Sequence, residues 1–106
     1  MAKYLVRGNY TPEGLKGLMK DGGSGRRAAV EKAMASVGGS VDPFYFAFGE
    51  NDLVAILEVP DDATAAALSL AVGAAGGADA NLTVLIAPET LDQAASKTAA
   101  YRAPGA

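Results

Sequence analysis

Phe44 to Pro60, FYFAFGENDLVAILEVP, is the stretch that most limits what this chain can fold into. Two apolar runs flank a cluster of turn formers, Gly49-Glu50-Asn51-Asp52, which is the pattern of a β-hairpin. In the first arm Phe44, Phe46 and Phe48 alternate with Tyr45 and Ala47; in the second Leu53, Ala55, Leu57 and Val59 alternate with Val54, Ile56 and Glu58. Successive strand side chains point to opposite faces, so arms that are apolar on both faces need cover on both.

Length and charge limit what surrounds that hairpin. At 106 residues the chain has material for one core and not for two. Nine Lys and Arg against twelve Asp and Glu leave a net charge of -3, which argues against nucleic acid and anionic membrane as partners, since both need a basic footprint. Cysteine and histidine are both absent. Disulfides, a thiolate nucleophile and Cys or His metal ligation are thereby excluded, and no metal or cofactor is expected. The opening MAKYLVRG starts directly on strand-like residues, so no secretory signal or membrane span is read there and the expected location is cytoplasmic.

Taken in order, Lys3 to Tyr10 alternates as a strand, with Tyr4, Val6, Gly8 and Tyr10 on one face and Lys3, Leu5, Arg7 and Asn9 on the other. Thr11-Pro12-Glu13 starts a helix: Thr11 caps, Pro12 lacks only an N–H that would go unbonded, and Glu13 faces the positive end of the dipole. Leu15, Leu18 and Met19 begin a buried stripe that Ala29, Val30, Ala33, Met34 and Val37 resume. Between them Asp21-Gly22-Gly23-Ser24-Gly25 interrupts it, because glycine in a helix interior costs about 1 kcal/mol relative to alanine. A break is expected there, with Ser24 or Asp21 capping a second piece that ends at Gly38-Gly39.

After the hairpin, Asp61 caps a helix over Ala63 to Ala75, made almost wholly of Ala, Leu and Val and closed by Gly76-Gly77. Such small residues allow a helix to sit close to a sheet. A loop over Ala78 to Asn81, a strand over Leu82 to Ala87 and a polar helix from Leu91 to about Ala100 complete the reading. The order strand, helix, strand, strand, helix, strand is the split βαβ pattern, so the expected class is α+β: a ferredoxin-like βαββαβ antiparallel sheet over residues 1-88, with a C-terminal helix and tail over 89-106. Two helices would cover one sheet face and leave the other bare and partly apolar. A second copy is the simplest cover, giving a homodimer of the dimeric α/β barrel type.

The residues also resemble a family. The run from Tyr4 to Gly14, Gly22-Gly23-Ser24 with the arginines at Arg26 and Arg27, the Phe48-Gly49-Glu50-x-Asp52 turn, Glu58-x-Pro60-Asp61, and the closing Tyr101-Arg102-x-Pro104-Gly105 together resemble the GYD-domain family of small proteins. That resemblance implies a dimeric α/β barrel relative without an established biochemical role. It also marks a departure: where the family carries a tyrosine between glutamate and aspartate of the turn, this chain has Asn51, which suits the turn but removes the ring.

Two groups of residues could carry chemistry. Arg7 and Asn9 on the first strand, with Tyr45, Asp52 and Glu58 from the hairpin, would line a polar patch in a cleft on the sheet face, as small-molecule sites do. The same residues equally fit an interface network, with Asp52 in an Asx-type turn bond. Ser24, Arg26 and Arg27 after the glycines could hold an anion at a helix start, or be solvated arginines on a kink, since the run lacks the phosphate-loop spacing. Three classes of function follow. The first is a homo-oligomeric module binding a small ligand; the second a cofactor-independent monooxygenase or isomerase, with Asn9 orienting substrate and Tyr45, Asp52 or Glu58 handling protons; the third a purely structural oligomer.

Overall fold

The alternating runs pair as four antiparallel strands in the computed structural model, which describes residues 1–106. In chain order the elements are β1 (Ala2–Tyr10), α1 (Pro12–Ser36), β2 (Ser40–Phe46), β3 (Leu53–Val59), α2 (Asp62–Ala75), β4 (Ala78–Leu85) and α3 (Pro88–Ser96). The sheet order is β2-β3-β1-β4. That arrangement is the ferredoxin-like α+β fold with one added C-terminal helix.

Register assigns the faces. Tyr4 lies opposite Leu57 and Val84, Val6 opposite Ala55 and Leu82, and Gly8 opposite Leu53 and Ala80, so these residues share the face that α1 and α2 cover. Tyr4, Val6, Met34, Val41, Ala55, Leu57, Val59 and Ala65 form the buried core. Met34 from α1 and Val59 from β3 are its most enclosed side chains. Tyr4 also donates its hydroxyl to Asp62, tying β1 to the start of α2. That bond, together with burial and the charges of Asp62 and Asp61, raises the phenol pKa above the ordinary tyrosine value.

Thr11 caps α1 as its chemistry foretells, accepting from the Gly14 N–H at 3.1 Å. The interruption falls at Gly22, whose φ of 77° and ψ of 164° are outside the helical region and cost an L side chain far more than glycine. Asp61 caps α2, and left-handed Gly76 ends it. Several boundaries differ from the pattern reading, among them the ends of β2 at Phe46 and β4 at Leu85 and the start of α3 at Pro88. β2 starts at Ser40 because β3 continues to pair with Ser40 and Val41 across a bulge before Phe44, where the Asp42-Pro43 peptide is cis. β4 starts at Ala78, so the expected loop over Ala78 to Asn81 is strand: β1 offers unbroken partners from Gly8 to Tyr10, and pairing overrides the weak intrinsic preference of Ala, Asp and Asn. α3 ends at Ser96 rather than near Ala100.

Every residue from Ile86 to Ala106 is exposed, and α3 buries nothing. The radius of gyration, 16.9 Å, exceeds the ~13 Å typical of a compact chain of this length, because this arm extends outward. No helix is long and apolar enough to cross a membrane.

The α2 cap gives a pH dependence. Asp61 accepts from the Thr64 hydroxyl at 2.7 Å and from the Thr64 N–H at 2.8 Å, and both bonds favour the ionised carboxylate, lowering its pKa. A depressed folded pKa stabilises the fold above the unfolded value of 3.8, and that contribution disappears as pH falls through the folded value. The side-chain amide of the Asp61→Asn variant still caps but does not titrate. Urea unfolding is therefore expected to show wild-type stability falling more steeply than the variant's below about pH 4; parallel curves would remove the assignment.

Candidate functional site

The sequence-selected residues of the sheet lie in three places. Tyr45 and Arg7 both stand opposite Val54, so they flank it in one row on the face away from the helices. Both are exposed. Asn9, two residues further along β1, accepts from the Asp52 N–H at 3.1 Å, and that N–H also reaches the Gly8 carbonyl at 2.9 Å. Asp52 bonds outward rather than within its own turn: its carboxylate accepts from the Tyr10 N–H at 3.0 Å. The aspartate after the hairpin turn thus fastens that turn to the end of β1 and satisfies an N–H beyond the last β1–β3 pair. Glu58 lies at the other end, opposite Lys3 and Ser40, about 13 Å along β3 from Val54. With Lys3, Ser40, Asp42 and Ile56 it borders a mainly polar groove.

The glycine-rich turn also separates. Ser24 and Arg27 are exposed on α1, whereas Arg26 turns inward and is half-buried. Adjacent helix residues point about 100° apart, so Arg26 and Arg27 do not share a site.

A partly open pocket with a mainly hydrophobic lining lies on the helix side. A cavity of about 180 Å³ runs between the sheet and the two helices, and fifteen of its nineteen lining residues are hydrophobic, which makes it an apolar chamber rather than a polar cleft. Val6, Ala55 and Leu57 form its floor, Val30 and Met34 of α1 one wall, and Leu68 and Val72 of α2 another. It exists because facing residues such as Ala33, Ala55, Ala78 and Ala80 are small and leave the layer between sheet and helices incompletely filled. Beside it, a more open groove of about 380 Å³ runs between α1 and α2 past Gly14, Gly17, Leu18 and Ala75. Tyr10, Arg26, Ala33, Leu68, Val72 and Ala78 border both spaces.

Sequence reading did not select Tyr10, Phe44, Leu68 or Val72 as site residues. The available signal was weak, since the small residues that leave the space, Ala33, Ala55, Ala78 and Ala80, are scattered over three elements.

A model of the GYD domain matches residues 4–95, from the third residue of β1 into α3. No curated protein and no solved structure matches the chain. Since the matched span includes nearly the whole sheet and both packed helices, the chain belongs to the GYD-domain family.

Proposed function

We propose that this protein is a homo-oligomeric module that binds a small, predominantly apolar molecule in the chamber between its sheet and its helices. The observation that carries this reading is the chamber itself: about 180 Å³ of space walled mainly by hydrophobic side chains, in a chain of only 106 residues. Empty apolar volume is costly. Each missing van der Waals partner weakens the walls, and a void of about 150 Å³ with apolar walls takes up benzene-sized guests. A fold that retains such a void, with a groove of about 380 Å³ opening beside it, has the form of a binding site.

Catalysis has weaker support. The chamber wall carries no histidine, and by register the side chains of Asn9 and Asp79 belong to the opposite sheet face, so both meet the chamber through their backbone. Binding accordingly takes precedence over turnover.

The test is a titration with indole, followed through backbone amide NMR signals. Val6, Ala55, Leu57 and Leu68 are expected to shift together and to saturate, while Arg7 and Tyr45 on the far face stay in place. Filling the chamber with Ala80→Met should abolish those shifts. Shifts confined to the far face would transfer the site to the sheet surface.

A further inference from the structure

One charged side chain faces the chamber. Arg26 lines it and also lines the adjoining groove, so this residue stands where the two spaces meet. Its Nε is buried and has no hydrogen-bond partner. Asp21, the carboxylate bordering the groove on the same helix, does not supply one. A guanidinium cannot shed its charge, and an unpaired N–H away from water loses its solvation without compensation. Held in an otherwise hydrophobic wall with its terminal nitrogens free of protein partners, such a group is suited to meet an anion.

We propose that Arg26 is the anchor for a ligand carboxylate, and that the ligand class is an apolar monocarboxylic acid, an aryl or short acyl acid whose hydrocarbon body fills the chamber. This inference rests on the chamber being the binding site and adds the chemistry of what enters it. The fork of the guanidinium matches a carboxylate with two parallel N–H···O bonds, which the two terminal nitrogens can supply end-on. Tyr10 borders the same junction and its phenol can donate a further bond. A phosphate is a poorer fit. It carries more charge than one arginine neutralises, and Arg27 is exposed on another side of the helix. The body of the ligand is limited to about one ring or six carbons within the chamber itself, by comparison with the benzene-sized void. A longer body would extend into the groove past Gly17, where nothing stands within 4 Å of the Cβ position.

The experiment compares phenylacetate with phenylacetamide, which has the same body without the charge, by NMR titration of wild type, Arg26→Met and Arg26→Lys. Wild type is expected to bind phenylacetate roughly 10- to 100-fold tighter than the amide, the range of a charged hydrogen bond. R26M should lose that preference while still binding the amide, which shows in the same titration that the variant is folded, and R26K should recover part of it. Equal wild-type affinity for acid and amide would overturn the anchor and leave the chamber reading standing. Binding of neither compound at any accessible concentration would overturn both.

Discussion

Gly14→Ala is expected to destabilise the fold by about 2–4 kcal/mol, while Gly17→Ala, one turn further along the same helix, stabilises it by about 0.5–1 kcal/mol. The two glycines differ in what stands over them. A Cβ on Gly14 would lie 1.8 Å from the Gly77 carbonyl oxygen, and backbone cannot rotate aside as a side chain can. That oxygen is also occupied. It accepts from the Thr11 N–H at 3.0 Å and from the Thr11 hydroxyl at 3.2 Å, while Thr11 in turn caps α1 through the Gly14 N–H. Moving Gly77 away to admit one methyl group therefore loosens the cap of α1 and the turn between α2 and β4 together. Gly17 has nothing within 4 Å of its Cβ position, so alanine there only restricts the unfolded chain and improves helix propensity. Thermal unfolding checks both, with the melting temperature of Gly14→Ala about 10 °C or more below wild type and that of Gly17→Ala a few degrees above it. A melting temperature for Gly14→Ala indistinguishable from wild type would mean that the α1 start and the α2–β4 turn are not in close contact.

The same contact shows why some of the fold was legible from sequence and some was not. Local chemistry announced the caps: Thr11 before Pro12, Asp61 before a run of alanines, and Gly22 at the helix interruption each need only their own neighbours to act. Alternation announced the hairpin, since period two across Leu53–Val59 has one physical meaning. The start of β4 was hidden because Ala78 to Asn81 owe their strand state to β1, at the far end of the chain. The close approach of Gly14 to Gly77 is likewise a relation between distant residues that no window contains.

The candidate site was less legible than the fold for a related reason. Arg7, Tyr45 and Asn9 were selected because polar residues on an apolar strand attract notice, and register does place Arg7 and Tyr45 in one row. A chamber, by contrast, is made of what is missing. Its walls are ordinary core residues, and the deficit arises from the sizes of Ala33, Ala55, Ala78 and Ala80 summed across three elements. Arg26 was noticed for its charge but grouped with Ser24 and Arg27 by adjacency. Helical geometry separates them, and only the packing of α1 shows which arginine turns inward.

The other large effect concerns assembly, with Ile56→Glu expected to convert a dimer into a monomer. On the sheet face away from the helices, Leu5 pairs with Ile56, Val54 lies next along β3, and Lys3, Glu58 and Arg7 surround this apolar centre. An apolar patch with a rim of both charge signs is the anatomy of a two-fold interface, where each patch must complement itself. A standard interface takes about 800 Å² from each partner, roughly a tenth of the 7480 Å² this chain exposes. The arm adds a second reason: α3 has nine residues, buries none of them and leaves Leu91 exposed, yet helices shorter than about 12–15 residues are marginal without a surface to pack on. A second copy supplies cover for the sheet and a surface for the arm at once. Two-fold symmetry places the introduced carboxylate in the interface twice, and at roughly 2–4 kcal/mol for each unpaired buried charge the dissociation constant should rise at least ~1000-fold. Val84→Glu is the control, exposed to solvent but on the helix-side face of the sheet, and it should leave the dimer intact. Sedimentation at micromolar concentration decides the matter: a dimer for wild type and Val84→Glu beside a monomer for Ile56→Glu supports the sheet-to-sheet arrangement, whereas a wild-type monomer would show that this face meets water and that the arm is held by something other than its own kind.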